Sequence, residues 1–139
     1  MHSINSLVVE DNSIFQKIMH NILKSYGTCT IAKNGLEGLE QYKKSLQENN
    51  HYDLICLDIE MPKMDGVSLL DKIRKLEQEH LPEKRSIIVM VTAYGEQDIV
   101  RKCCRLGCSS FLIKPVDRHN LEKVLKKHKL LMQTTEEVA

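Results

Sequence analysis

Net charge is the first thing this sequence lacks. Its 139 residues hold 20 Lys and Arg against 19 Asp and Glu, a formal charge of +1 at pH 7. So close a balance gives no electrostatic case for direct binding to nucleic acid or to a membrane surface. No apolar run approaches the ~18 residues of a membrane span, and the opening Met1-His2-Ser3 leaves no room for a secretory signal. The five cysteines are an odd number with no C-x-x-C pair, so neither a disulfide framework nor a zinc site is expected and a reducing cytoplasm fits best. Cys103, Cys104 and Cys108 find no fourth ligand, and the six histidines are scattered without metal spacing. Repeats and low-complexity segments are also missing. What remains is ordinary globular composition, 42% hydrophobic and 28% charged, which excludes disorder as the main state. At this length folding buries about two-thirds of the extended chain's surface, enough for one core without staples.

Two periods alternate along the chain. Short apolar runs at Leu7-Val8-Val9, Leu54-Ile55-Cys56-Leu57, Ile87-Ile88-Val89-Met90-Val91 and Phe111-Leu112-Ile113, with a weaker one over 28–32, suit strands buried on both faces. Between them lie helical stripes: Ile14, Phe15, Ile18, Met19, Ile22 and Leu23; then Leu36, Leu39, Tyr42 and Leu46; then Leu69, Leu70, Ile73 and Leu76; then Ile99, Cys103 and Leu106; and last Leu121, Val124, Leu125 and Leu131. Gly27 and Gly107 stand where helix C-caps belong, and Asp117 is an N-cap for the last helix. Residues 79–85, with Pro82, read as a loop. Asp53 reads as a strand-entry residue and Asp65 as a turn residue. Five β-α units in strict alternation predict an α/β fold: a single doubly wound, five-stranded parallel sheet with five helices. One domain spans residues 1–131, and 132–139 is a C-terminal tail.

The chemistry gathers after the strands. Val9 is followed by Glu10 and Asp11, Leu57 by Asp58, Val91 by Thr92 and Ile113 by Lys114. In a parallel sheet these positions converge at the carboxyl edge, where open α/β sheets bind their ligands. Carboxylates about 4 Å apart repel by roughly 4 kcal/mol at an effective dielectric near 20, so three of them take up protons or recruit a cation. An all-oxygen donor set favours Mg²⁺, with Mn²⁺ as a substitute, over zinc. Such an ion beside a lysine suits a phosphoryl group.

The run Val8-Val9-Glu10-Asp11-Asn12, the stretch Leu57-Asp58-Ile59-Glu60-Met61-Pro62-Lys63-Met64-Asp65-Gly66, the triplet Val91-Thr92-Ala93 and the pair Lys114-Pro115 resemble the receiver domain of two-component response regulators. The four motifs stand in order over about residues 4–128. The resemblance implies a flavodoxin-like, receiver-type fold with strand order 2-1-3-4-5. It also implies that Asp58 is the phosphoacceptor, and that Glu10, Asp11, Asp58 and the backbone carbonyl of Glu60 hold Mg²⁺. Thr92 would donate its hydroxyl to the phosphoryl oxygens, Lys114 would supply the neutralising ammonium, Phe111 would be the switch aromatic, and the Lys114-Pro115 bond would be cis. Glu10 stands where Asp is the commoner choice.

On this reading the chain is a stand-alone phosphoacceptor module rather than an enzyme with an external substrate. Its phosphoryl donor is a histidine kinase or histidine phosphotransfer protein, and its output is a downstream protein partner, since no output domain follows. A monomer or a phosphorylation-dependent dimer is expected, without direct nucleic-acid or membrane contact. Two other classes fit less well. A haloacid-dehalogenase-like phosphatase with Asp58 as nucleophile resembles D-x-D-x-T, whereas here Glu60-Met61 follows and no cap is inserted. A flavodoxin-like cofactor binder needs a phosphate loop where Glu10 and Asp11 would repel an anion. A receiver that no longer takes phosphate is disfavoured by intact Asp58, Thr92 and Lys114. The Glu60 side chain is expected at the mouth of the site, with an ion pair to Lys63 or Lys114 as the alternative.

Overall fold

The computed structural model describes residues 3–132. Met1, His2 and most of the expected tail, 133–139, lie outside the described residues. Five strands, β1 (Ser6–Val9), β2 (Cys29–Ala32), β3 (Leu54–Asp58), β4 (Ile87–Thr92) and β5 (Ser110–Ile113), alternate with helices α1 (Ser13–Leu23), α2 (Gly35–Gln47), α3 (Gly66–His80), α4 (Gln97–Leu106) and α5 (Arg118–Lys127). All strand pairs are parallel, in the order β2-β1-β3-β4-β5.

The period of two within each apolar run sorts the core onto two faces. Leu7, Val9, Ile55, Leu57, Ile88 and Met90 pack with Tyr42, Leu69, Leu70, Ile73 and Cys103 from α2, α3 and α4. Val8, Leu54, Cys56, Val89 and Val91 pack with Met19, Ile22, Leu23, Leu121, Val124 and Leu125 from α1 and α5. Each fully buried Leu, Ile or Val contributes about 1.5–3 kcal/mol. The flanking strands β2 and β5 are only partly buried over Cys29, Thr30 and Ile31 and over Ser110, Phe111 and Leu112, because each is paired on one side alone.

Several local expectations are corrected. Ile14 and Leu36 fall on their helical stripes but are 66% and 46% exposed, because each sits in the first turn of its helix, at the rim of the sheet. Gly27 is not a C-cap. Helix α1 ends with Lys24 as its cap, the Ser25 hydroxyl bonds back to the Ile22 carbonyl at 2.7 Å, and Gly27 instead lies against the Ile4 backbone at φ +153°. Residues 79 and 80 belong to α3 rather than to a loop. Glu77 holds that last turn, paired with Arg74 at 2.7 Å and accepting the Ser86 N–H at 2.7 Å. Gly107 does cap α4, in the left-handed conformation at φ 102°. Asp117 caps α5 through the Asn120 N–H at 2.8 Å. Asp65 proves to be the N-cap of α3, accepting the Ser68 N–H at 2.8 Å.

Candidate active site at the carboxyl edge

The chain reverses direction across the sheet between β1 and β3, so the ends of these two adjacent strands open a crevice. β1 delivers Glu10 and Asp11 there, and β3 delivers Asp58. One oxygen of each of these carboxylates lies within 4.8 Å of the others. Glu10 and Asp58 are buried, whereas Asp11 is exposed.

Local structure fixes each carboxylate. The Glu10 Oε2 accepts the Asn12 N–H at 3.0 Å, and the Gln16 side chain donates to the Glu10 carbonyl at 2.7 Å. Asn12 is the N-cap of α1, its side chain accepting from the Ile14 and Phe15 N–H groups. Asp58 accepts the Glu60 N–H at 3.3 Å. The Gly66 N–H donates to the Ile59 carbonyl at 3.0 Å, and a Cβ on Gly66 would lie 2.2 Å from the Asp58 carbonyl oxygen. Only glycine lets α3 start this close to the phosphoacceptor candidate.

From the far side, β5 brings Lys114, whose backbone N–H donates to the Thr92 carbonyl at 2.8 Å ahead of a cis bond to Pro115. Its ammonium lies 2.9 Å from Glu10 Oε1 and 3.4 Å from Asp58 Oδ2, and 4.4 Å from the centre of the Phe15 ring. Burial, reinforced by a hydrogen bond to Glu10 and by its charge, pushes the Asp58 carboxyl up to about 7 despite Lys114. Burial alone would lower the Lys114 ammonium, but Glu10 and Asp58 outweigh it and hold it above its ordinary value. One lysine therefore does not neutralise the cluster. Three converging oxygen donors with an uncompensated negative balance fit a hard divalent cation.

Thr92 closes β4, and its hydroxyl is buried. It faces the Glu60 carboxylate at 2.8 and 2.9 Å and the Tyr94 carbonyl at 3.0 Å, and it accepts the Tyr94 N–H at 3.0 Å. The Glu60 carboxylate also takes the Ala93 N–H at 3.2 Å. No ion pair joins Glu60 to Lys63 or Lys114 among the described residues, so the expected alternative is replaced by these hydrogen bonds. Phe111 is partly buried and packs against the core on the α2–α4 face. The fold thus brings Glu10, Asp11, Asp58, Glu60, Thr92 and Lys114 together, with Phe111 one strand away from Thr92. Sequence reasoning missed the supporting roles of Gln16, Phe15 and Gly66. Asn12 was detectable in principle, since an Asn directly before a helical stripe is a capping signal.

The chain has relatives among known proteins. The family model for the response regulator receiver domain matches residues 6–126. Chemotaxis protein CheY of Treponema pallidum is 35% identical over 123 residues, covering 87% of this chain and 77% of that protein. Hybrid signal transduction histidine kinase B of Dictyostelium discoideum is 37% identical over 131 residues, 88% of this chain but only 6% of that much longer protein. Among solved structures, the CheX–CheY–BeF3–Mg complex from Borrelia burgdorferi matches with a TM-score of 0.78 at 30% identity, covering 91% of this chain and 89% of that one. The receiver domain of the histidine kinase CKI1 from Arabidopsis thaliana, complexed with Mg²⁺, matches with a TM-score of 0.78 at 26% identity, covering 90% and 91%.

Proposed function

This chain belongs to the response regulator receiver domain family, and on that premise we propose that it takes a phosphoryl group onto Asp58 and signals that event to a protein partner. The donor is a histidine kinase or histidine phosphotransfer protein. One observation carries the reading: the carboxylate of Asp58 sits between two other carboxylates and a lysine, at the strand ends where Thr92 also presents its hydroxyl.

In the transfer, an Asp58 carboxylate oxygen attacks the phosphorus of the donor's phosphohistidine. The new P–O bond forms as the P–N bond breaks, and the imidazole leaves with its electron pair and takes a proton from solvent. Glu10, Asp11, Asp58 and the Glu60 carbonyl would hold Mg²⁺, which supplies positive charge to the phosphoryl oxygens. Lys114, already 3.4 Å from Asp58, is placed to pair with the phosphoryl group, which brings up to about two negative charges. The Thr92 hydroxyl and the Ala93 N–H, both donors at the end of β4, are the hydrogen-bonding partners for its oxygens.

The two-state element is then the β4–β5 side of the domain. Phe111 pairs with Met90 across that ladder, so a shift of Thr92 toward a phosphoryl oxygen is transmitted to the ring and to the surface around it. A cytoplasmic setting fits this chemistry, and no helix among the described residues is long and apolar enough to cross a membrane. The test is labelling with phosphoramidate, read as an intact-mass gain of one phosphoryl group. Labelling should need Mg²⁺ and be absent in Asp58→Asn. An Asp58→Asn chain labelled as fast as the wild type would overturn the assignment.

A further inference from the structure

The Glu60 side chain has no task in the reading above, which uses only its backbone carbonyl. It nonetheless accepts from both donors at the end of β4, approaching the Thr92 hydroxyl at 2.8 and 2.9 Å and the Ala93 N–H at 3.2 Å. These are the same two donors that phosphoryl oxygens need. A carboxylate is an anion with two acceptor oxygens a short distance apart, which is also the local chemistry of a phosphoryl group seen from its donors. The Thr92 hydroxyl has one proton to give. While Glu60 takes it, an incoming oxygen cannot.

We infer that the Glu60 carboxylate is an internal occupant of the phosphoryl seat, holding the Thr92 hydroxyl and the Ala93 N–H in the unphosphorylated chain until an incoming anion displaces it. The inference rests on the phosphoacceptor reading and adds a competing ligand to it. Glu60 is thereby a positioning residue: it acts through Thr92 and Ala93 rather than on the reacting atoms. Its position allows the exchange. It lies in the β3–α3 loop at an exposed site, two residues beyond Asp58, so the side chain can swing into solvent while its backbone stays in place. A seat that is filled most of the time weakens every anion that must enter it, in proportion to the fraction of chains in which it is open. Charge-assisted hydrogen bonds of this kind are strong enough to keep that fraction near one-tenth.

The probe is BeF3⁻ with saturating Mg²⁺, titrated into the wild type, Glu60→Ala and Glu60→Gln while the Ala93 amide is followed by NMR. Glu60→Ala should bind about tenfold more tightly than the wild type. Before any BeF3⁻ is added, its Ala93 amide proton should also move upfield, having lost its acceptor. Glu60→Gln should fall between, because its amide oxygen still accepts from Thr92 but carries no charge. A merely structural role would change the melting temperature without tightening BeF3⁻. Equal or weaker binding by Glu60→Ala, beside a wild type that binds, overturns this inference and leaves the phosphoacceptor reading standing. No binding by either chain overturns the phosphoacceptor reading and takes the inference with it.

Discussion

Replacing Asp58 with Asn should make the metal-free protein more stable, although it removes the proposed phosphoacceptor. Asp58 is 3% exposed, and its carboxylate lies within 4.8 Å of oxygens of both Glu10 and Asp11. At an effective dielectric near 20, each repulsion amounts to about 3–4 kcal/mol, with the Asp11 contribution reduced because that side chain is in solvent. The Lys114 ammonium at 3.4 Å returns about 5 kcal/mol on the same scale. The charges therefore come close to cancelling, and burial decides the balance against the ionised form. The rise of the Asp58 carboxyl from its ordinary 3.8 to about 7 expresses that balance. Asn keeps the shape and still buries an amide, so part of the penalty remains. The expected gain is about 2 kcal/mol near pH 8, or about 4–8 °C in melting temperature. The pH dependence has a definite sign. Because folding raises this pKa, the folded chain holds a proton that the unfolded chain has lost between about pH 4 and 7, and wild-type stability falls as pH rises through that window. The advantage of Asp58→Asn should therefore be small near pH 4, grow with pH and level off above about 7. Differential scanning calorimetry at several pH values, with chelator present, reads it directly. A variant less stable than the wild type at pH 8, or an advantage independent of pH, would refute the reasoning.

Asp11→Ala removes an exposed carboxylate from the trio, and Mg²⁺ affinity should drop by about tenfold or more; calorimetric titration showing unchanged affinity would contradict the ligand set. Lys114→Ala leaves Glu10 and Asp58 buried without their cation, so the metal-free fold should lose about 3 kcal/mol in urea unfolding. Mg²⁺-dependent labelling should persist in that variant, while the NMR shifts around Phe111 no longer respond to it. Identical wild-type shifts around Phe111 with and without BeF3⁻ would disprove that coupling. Gly66→Ala places a Cβ 2.2 Å from the Asp58 carbonyl oxygen, and the forced shift of backbone should cost more than about 2 kcal/mol. An unchanged unfolding midpoint would show that the α3 start yields freely.

The sheet was readable because β1, β3 and β4 are buried on both faces, so their runs are unbroken and apolar, and because each is followed at once by a chemically distinctive residue. The same residues announce the site: no helix-period pattern explains Glu10-Asp11, Asp58, Thr92 and Lys114 at successive strand ends. What periodicity could not supply lies at the ends of helices. Ile14 and Leu36 sit on apolar stripes, yet the first turns of α1 and α2 extend to the rim of the sheet, where no layer covers them. The extension of α3 through His80 depends on Glu77, which pairs with Arg74 one turn back and also reaches Arg85 and the Ser86 N–H, two contacts beyond the helix that its own period does not reveal. The Glu60 side chain is of the same kind. Its partners lie 32 and 33 residues away, and a loop has no period from which a direction could be read. Likewise, Phe15 reads as one more member of an apolar stripe until β5 sets the Lys114 ammonium over its ring.

The most direct measurement locates the phosphoryl group itself. The wild-type chain, incubated with phosphoramidate and Mg²⁺, is reduced with borohydride, which converts an aspartyl phosphate to homoserine, and is then mapped by peptide mass spectrometry. The chemistry proposed here predicts homoserine at position 58 alone, at a yield that falls to background when Mg²⁺ is chelated. Homoserine at another acidic position, or full labelling in the presence of chelator, would contradict it.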